Sequence, residues 1–375
     1  MKKSTVLFAV LALVAAGCTK TRIVDIGAEG GQRSIGFSAY TTRPTKAAQA
    51  DVTTDNLSSF QVTAIGNGAV YFSDAKFEKN AQSGVWESTP AYFWPAFALD
   101  FYAYNKPEKG TFTPNIGTES QTIFVKPSET LSEQEDLVAA TLTAQNEPQT
   151  GATSITFRHY LTQVIVKALN NNDNYSVVVD GVKLTNLAGE GTYTFNNNTM
   201  KATDGLANSD NSVDYDETFT ATTLNSTAQE VMTSGENGKW YLITQNVTAW
   251  QREAETPDMT NASNGTYLAL KVKISAKSSS KQIYPISGEE SAWMAVPVPA
   301  SLKFEQGKKY TVIVKFFGDD GNGGAGYVDP ETPGDLDGDS DANNDKGKKI
   351  IGGVIKFNAS VDPWDDTNNT ITISL

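Results

Sequence analysis

The chain has 375 residues, with 43 acidic against 30 basic side chains and a formal net charge of −13. An acidic surface argues against binding to nucleic acid and against electrostatic docking on anionic lipid. Cys18 is the only cysteine and His159 the only histidine, which excludes disulfides within the chain, cysteine–zinc sites and multi-histidine metal sites. We therefore expect a protein without a metal or another cofactor.

The first eighteen residues have the pattern of an export signal. Lys2 and Lys3 precede an uninterrupted apolar run over residues 6–16, which is too short to span a bilayer, since spanning needs about 20 residues. The run leads into Ala-Ala-Gly-Cys, which resembles a bacterial lipobox, where the signal is cut before the cysteine and Cys18 then carries lipid. The alternative is an ordinary signal peptide cut elsewhere, which would leave a free thiol in an oxidising compartment. The pattern predicts an exported, lipid-anchored protein.

The chain beyond the signal alternates between apolar and polar residues, as β-strands do. After a polar tether over residues 19–32, the first predicted strand runs from Ile35 to Tyr40, and Pro44 marks its end because proline cannot donate to a ladder. Asn67-Gly68 predicts a hairpin turn. Further strands are predicted in the first half over residues 60–65, 69–72, 99–104, 121–125 and 137–142, and turn residues are found at Asn80 and Gly84.

Residues 86–104 form the densest aromatic block of the chain. Exposed aromatic rings can serve as a platform on which sugars stack. In this block the rings alternate with apolar partners and are interrupted by Pro90 and Pro95, a pattern more typical of the core of a β-sandwich. We therefore expect the block to be buried.

A polar stretch over residues 144–153 predicts a boundary between two domains. Beyond it, Asp180-Gly181 predicts another hairpin turn. Strands are predicted over residues 155–161, 164–169, 177–184, 191–195, 239–243, 267–275, 282–286, 292–298, 307–317, 353–361 and 370–375. About fifteen short strands with frequent turn signals predict an all-β chain of two β-sandwiches in tandem, over residues 19–150 and 151–375.

Residues 318–349 form an acidic, glycine-rich insertion. Within it, carboxylates alternate in the manner of a calcium loop, at Asp335, Asp337, Asp339 and Asp341. However, Ser340 stands where an EF-hand loop has glycine, and no glutamate closes the loop. We therefore expect a solvated, disordered loop rather than a metal site.

The order and spacing of several segments resemble the fimbrillin family of Bacteroidales. Besides the lipobox, the resemblance rests on Ile35-Gly-Phe37 followed by Thr41-Thr-Arg43, on Leu57-Ser-Ser-Phe60-Gln-Val62, on Tyr92-Phe-Trp94-Pro95, on Phe157-Arg-His159-Tyr-Leu161, on Phe304-Glu-Gln-Gly307-Lys-Lys-Tyr310 and on Val361-Asp-Pro-Trp364. The resemblance implies two tandem transthyretin-like β-sandwich domains. It also implies a structural, non-enzymatic fimbrial subunit that is an outer-membrane lipoprotein on the cell surface. The implied partners are other fimbrial subunits and a receptor on a host or bacterial surface.

The resemblance further implies that an arginine-specific protease removes the first strand, and that a strand from a neighbouring subunit fills the slot. In this chain the cut would follow Arg43, and the donor strand would present Ile371, Ile373 and Leu375. Arg43 is followed by Pro44, however, and trypsin-like active sites handle such bonds poorly. Cutting after Arg33 would leave the strand attached, and Lys46 fits in position but not in residue type. An uncut anchor or a tip subunit is therefore the alternative to a polymerising subunit.

Two other functions stay open. A surface glycan-binding lipoprotein would use the aromatic block over residues 86–104. A hydrolase would use paired carboxylates, although no segment singles out a pair. His159 shares one strand face with Phe157 and Leu161 and has no activated serine motif near it, so we expect a structural rather than a catalytic histidine.

Overall fold

The computed structural model describes residues 33–41, 51–232, 238–251, 265–286, 289–352, 355–364 and 371–374. These residues form strands, loops and short 3-10 turns, which confirms the all-β prediction. In the described part of the chain, no helix has the length and apolar character that crossing a bilayer requires.

The strands of the first half, in chain order, are β1 (Gly36–Thr41), β2 (Ser59–Gly66), β3 (Ala69–Lys79), β4 (Trp86–Ser88), β5 (Leu99–Tyr104), β6 (Thr111–Ile116), β7 (Gln121–Lys126), β8 (Val138–Gln145) and β9 (Thr153–His159). Those of the second half are β10 (Thr162–Asn170), β11 (Tyr175–Leu187), β12 (Gly191–Thr194), β13 (Thr199–Ala202), β14 (Val213–Thr223), β15 (Gln229–Glu230), β16 (Trp240–Leu242), β17 (Gln245–Asn246), β18 (Tyr267–Ala276), β19 (Gln282–Tyr284), β20 (Ala292–Pro297), β21 (Lys303–Phe304), β22 (Lys308–Phe316), β23 (Tyr327–Val328), β24 (Lys356–Pro363) and β25 (Ile371–Ser374). The 3-10 turns are Leu131–Glu133, Phe195–Asn197 and Ala342–Asp345.

Seven strands of the first half close into a barrel in the order β1, β4, β3, β2, β5, β8, β9. The contact that closes it, between β1 and β9, is parallel, and the other neighbours in the barrel are antiparallel. The hairpin predicted at Asn67-Gly68 is confirmed, because both residues have positive φ between β2 and β3. β9 lies beyond residue 150, so the barrel extends past the predicted boundary, and the division into domains stays a prediction.

The second half contains two larger sheets. One has the order β15, β10, β22, β24, β25, with β16 also on β10, and the other has the order β14, β11, β18, β20, β23, with β19 also on β18. Buried aliphatic side chains from both sheets belong to one core, including Val166, Val179, Leu270 and Val314. The second half is therefore built from sheet packed on sheet, and its likeness to transthyretin stays a prediction.

The hairpin predicted at Asp180-Gly181 is wrong. β11 continues through both residues as a central strand, paired with β14 on one side and β18 on the other. The register shifts between Val179 and Gly181 against both neighbours, so the glycine forms a β-bulge rather than a turn. A strand with a partner on each side gains ladder hydrogen bonds that a turn at this point would forfeit.

A four-stranded sheet joins the two halves. It has the order β13, β12, β7, β6, so that β7 of the first half pairs with β12 of the second, with Ile123 opposite Tyr193. The side chains beneath it form a core shared by both halves, which includes Tyr104, Tyr241 and Trp364. The halves are therefore linked by main-chain hydrogen bonds and by apolar packing.

The aromatic block over residues 86–104 lies largely in the core, as expected. Trp86 and Trp94 are each 3% exposed, and Phe101 is fully buried. Phe97 is exposed, at 37%, and Tyr92 and Phe93 are partly buried. The sugar-stacking platform considered for this block is therefore wrong for its two tryptophans, whose rings are packed against the barrel core.

Candidate functional site

The first strand, β1, occupies a slot between β4 and β9. Its parallel ladder with β9 runs from Phe37 opposite Thr153 to Thr41 opposite Phe157. Its antiparallel ladder with β4 is shorter, with Gly36 opposite Glu87 and Phe37 opposite Trp86. The predicted first strand is thus confirmed, and it is an integral member of the closed barrel.

The apolar face of β1 fills the centre of the barrel. Ile35, Phe37 and Ala39 are at most 2% exposed. The ring of Phe37 makes edge-to-face contacts with Phe77 and Phe101, at centroid distances of 5.0 and 5.2 Å. This alternation of inward side chains is what the sequence predicted from its period of two.

The start of β1 is held by Arg33. Its guanidinium group donates hydrogen bonds to the carbonyl oxygens of Pro148 and Gln149, at 2.9 and 2.8 Å. It also lies 3.5 Å from a carboxylate oxygen of Glu147. Arg33 therefore contributes to fixing β1 beside the loop that follows β8.

The end of β1 is held by a neutral contact. The backbone N–H of Thr41 donates to Oγ1 of Thr54 at 2.8 Å, and the two hydroxyl oxygens lie 3.2 Å apart. The predicted cut at Arg43 and its alternative at Lys46 lie outside the described residues, between Thr41 and Asp51. Cys18 and Leu375 also lie outside them, so lipidation, processing and the last donor residue stay predictions.

The predicted donor strand is found at the edge of a sheet. The backbone of β25 pairs antiparallel with β24, with Ile371 opposite Val361 and Ile373 opposite Ala359. β25 is the terminal strand in the order of its sheet, so its outer edge has no strand partner among the described residues. An edge strand is the kind of element that can be exchanged between chains.

Asp51 lies at the junction of the two halves and is fully buried. Its Oδ1 accepts hydrogen bonds from Gln163 Nε2 and Lys239 Nζ, both at 2.7 Å, and from Tyr241 OH at 3.0 Å. Its Oδ2 accepts from Lys309 Nζ at 2.7 Å. We call Asp51 with these four partners the Asp51 clamp. It ties the chain just before β2 to β10, β16 and β22 of the second half.

A second buried pair adjoins the Asp51 clamp. His159 Nδ1 is hydrogen-bonded to Asp136 Oδ2 at 2.7 Å, and both side chains are buried. The imidazole stacks on the indole of Trp364, with centroids 4.1 Å apart. Asp136 Oδ2 also accepts a hydrogen bond from the backbone N–H of Val52. His159 is therefore packed into the junction, and its structural rather than catalytic role stays a prediction.

The charge of Asp51 makes the stability of the protein sensitive to acid. Burial by itself would raise the pKa of this carboxyl, but the ammonium groups of Lys309 and Lys239 outweigh it and lower the pKa from 3.8 to about 2. Because the folded pKa lies below the unfolded one, the stabilisation is fully present above about pH 4 and is lost as the pH falls toward 2. The difference corresponds to about 2 kcal/mol.

We therefore expect the free energy of unfolding to fall more steeply below pH 4 in the unchanged chain than in Asp51→Asn, which has no carboxyl to titrate. Urea unfolding at a series of pH values between 5 and 2 measures this difference, with the other carboxyl groups common to both chains. Parallel pH profiles for the two chains would contradict the assigned role of Asp51.

The acidic insertion is packed in part: Asp337, Asp339 and Asp341 are exposed, as expected of a solvated loop, but three other carboxylates are buried. Asp329 and Asp345 are fully buried, and Asp335 is 6% exposed. The physical reason is internal pairing, since Lys183 Nζ lies 3.2 Å from Asp329 Oδ2 and Lys348 Nζ lies 2.7 Å from Asp345 Oδ1. A buried carboxylate is tolerated when a cation and hydrogen bonds accompany it.

Three of the four calcium candidates come together. One carboxylate oxygen from each of Asp335, Asp337 and Asp339 lies within 4.8 Å of the others. Asp335 accepts hydrogen bonds from the backbone N–H groups of Gly338 and Ser340. The ammonium of Lys348 lies 3.7 Å from Asp337 Oδ2, so a lysine of the chain already supplies positive charge here. Calcium binding at these residues stays untested.

Sequence reasoning missed the Asp51 clamp entirely. Asp51, Lys239 and Lys309 lie in unrelated segments and form no spacing motif. The available signal was local: Lys309 is the second residue of the strand β22, and Trp364 directly follows β24.

Comparison with known proteins gives a family for this chain. The family model described as fimbrillin-like matches residues 21–325. No curated protein sequence matches the chain. Because the family model covers most of its length, the chain belongs to the fimbrillin-like family. This membership supports a fimbrial or cell-adhesion role at the cell surface.

Similar solved structures are distant in sequence. A proposed cell adhesion protein from Parabacteroides distasonis has a TM-score of 0.48 at 10% identity, covering 91% of this chain and 99% of its own. One from Bacteroides uniformis has a TM-score of 0.46 at 11% identity, covering 90% and 100%. The fimbrial anchor protein Mfa2 from Porphyromonas gingivalis has a TM-score of 0.31 at 12% identity, covering 76% and 90%.

Proposed function

We propose that this chain is a structural, non-enzymatic subunit of a cell-surface fimbria that contributes to adhesion. It is exported as a lipoprotein, carries lipid on Cys18 in the outer membrane, and joins other fimbrial subunits by strand exchange. The proposed architecture is that of two tandem transthyretin-like domains. Family membership supports the fimbrial part, and the position of β1 supports the exchange.

The observation that carries the proposal is the slot of β1. The strand is short, and its parallel partner β9 and antiparallel partner β4 lie on opposite sides of it. Removing it would leave two unpaired ladder edges and expose the rings that surround Phe37. An incoming strand would satisfy both the edges and the apolar surface at once.

The slot defines what a donor strand must offer. It must run parallel to β9 and antiparallel to β4, and it must present apolar side chains at every second position, as β1 does with Ile35, Phe37 and Ala39. In sequence, Ile371, Ile373 and Leu375 have the same alternation. The edge position of β25 in its sheet supports it as the donor, because among the described strands β25 is paired with β24 alone.

The experiment treats the purified full chain with an arginine-specific protease and follows fragment mass and native size over time. We expect a cut after Arg43 followed by multimers, and a faster cut in Pro44→Ala because the bond after the arginine is then no longer a prolyl bond. A chain that ends before Ile371 should still be cut but should form no multimers.

Two outcomes distinguish a polymerising subunit from the alternatives. Multimers from Pro44→Ala but none from the unchanged chain would indicate an uncut anchor or tip subunit with an exchange-competent fold. A Pro44→Ala chain that is cut after Arg43, loses β1 and stays monomeric would overturn strand exchange.

A further inference from the structure

Along the chain, Asp51 and Trp364 adjoin the two segments that strand exchange would rearrange. Upstream of Asp51, residues 42–50 connect it to the end of β1 at Thr41. On the other side, Trp364 follows β24 directly, and residues 365–370 connect Trp364 to β25. Asp51, which follows the segment that would be cut, and Trp364, which precedes the segment leading to β25, therefore lie at one junction.

Two side chains contact both Asp51 and Trp364. Lys309 Nζ donates to Asp51 Oδ2 and lies 5.1 Å from the ring centre of Trp364. Tyr241 donates its hydroxyl to Asp51, and its ring stacks on the indole with centroids 5.7 Å apart. The backbone N–H of Trp364 also donates to the carbonyl oxygen of Gly307, at the start of β22. Asp51 and Trp364 are thus held by a common set of groups.

Thr41 and Asp51, the residues on either side of the 42–50 segment, are held by different kinds of side-chain contact. Thr41 makes neutral hydrogen bonds to one hydroxyl group of Thr54. Asp51 accepts four hydrogen bonds, two of them from buried or nearly buried ammonium groups. Charge-assisted hydrogen bonds are about twice as strong as neutral ones, and opening a buried ion pair leaves uncompensated charge. A cut between the two ends would leave β1 held by its ladders with β4 and β9 and by apolar packing, and would leave Asp51 held by charged side chains.

We infer that the Asp51 clamp retains the processed chain: it holds the residues downstream of the cut and the base of the C-terminal strand pair on the second half while β1 leaves. This inference rests on the proposed function and assigns a positioning role to Asp51. With the clamp closed, the chain leading into β2 stays in place, and β2 carries Phe60, whose ring contacts Phe37 of β1. The clamp also holds Trp364, the residue from which the chain continues to the donor strand.

Hydrogen exchange measured by mass spectrometry on the full chain tests the clamp. In Asp51→Asn, exchange should rise in residues 51–58, in β22 from Lys308 to Ile313 and in β24 with Trp364, by on the order of 100-fold, as expected for loss of a buried ion pair. The same segments should stay protected in the unchanged chain after trypsin has cut the Lys46–Ala47 bond.

Asp329→Asn is the matched control. Asp329 is also fully buried and has the same kinds of partner, Lys183 at 3.2 Å and the Tyr267 hydroxyl at 3.2 Å, but it lies on the other sheet of the second half. Its exchange increase should be confined to β11, β18 and the acidic insertion. An increase in residues 51–58 in this control would indicate general loosening and would overturn the specific role of Asp51.

A second variant covers the case in which Asp51→Asn does not fold. Lys309→Met removes the partner of Oδ2 at a side chain that is 17% exposed, and it should raise exchange in the same three segments by a smaller factor. Unchanged exchange there in both variants would overturn the clamp. Hydrogen exchange is measured independently of multimer formation. A chain in which the clamp segments stay protected but which never forms multimers would therefore contradict strand exchange and not the clamp.

Discussion

Phe37→Ala is expected to lower the free energy of unfolding by about 3–5 kcal/mol. The ring is fully buried in the barrel and lies within 6 Å, centroid to centroid, of Phe60, Phe77 and Phe101. Its removal leaves a cavity that a closed barrel cannot collapse to fill. Urea unfolding at neutral pH, followed by circular dichroism, measures the effect.

Tyr40→Ala is the control for this prediction, since it truncates an aromatic side chain of the same strand that is 52% exposed. We expect a change within about 0.5 kcal/mol for this variant. Equal effects of the two substitutions would mean that β1 is not packed in the slot described here. The proposed exchange would then lose its physical basis, because an unpacked strand leaves no apolar slot behind.

Trp364→Ala is expected to have an effect of similar size, about 3–5 kcal/mol. The indole is fully buried between the imidazole of His159 and the ring of Tyr241, and the ammonium of Lys309 lies 5.1 Å from its centre. The substitution removes packing that the two halves share. Trp293→Ala is the matched control, because that tryptophan is only partly buried, and we expect it to lose no more than about 2 kcal/mol.

A double-mutant cycle of Trp364→Ala and Asp51→Asn measures whether the two residues act together. Because Lys309 and Tyr241 contact both residues, the two effects should not add, and the coupling free energy should exceed about 0.5 kcal/mol. Additive effects would show that Asp51 and Trp364 act independently, and they would weaken the inference that one clamp holds both chain segments.

Local alternation along the chain predicted many of its strands, including the first, although it missed β6 and β14. Ile35, Phe37 and Ala39 recur at every second position, and the structure buries all three on one side of β1. The turn at Asn67-Gly68 was predictable for the same reason, since its conformation depends on neighbouring residues only. Family membership also followed from the order of such segments along the chain.

Contacts between distant segments were not predictable in this way. The failed turn at Asp180-Gly181 became a bulge because β11 has strand partners on both sides, and only the completed sheet supplies them. The carboxylate of Asp345 was expected in solvent, yet it is buried against Lys348. The sequence shows that a side chain is charged, but it does not show whether an oppositely charged side chain will pair with it in the folded protein.

The Asp51 clamp is the strongest example of what depended on tertiary structure alone. Its partners are separated from Asp51 by 112 residues at Gln163, 188 at Lys239 and 258 at Lys309. The alternation of apolar and polar residues cannot predict such contacts, because it indicates only which face of a single strand is buried. The alternating residues were enough to predict the first strand and a fimbrillin-like order of segments, and removal of that strand stays a prediction. How the two halves are joined was decided by the packing of those strands, which brings one carboxylate and two ammonium groups together away from water.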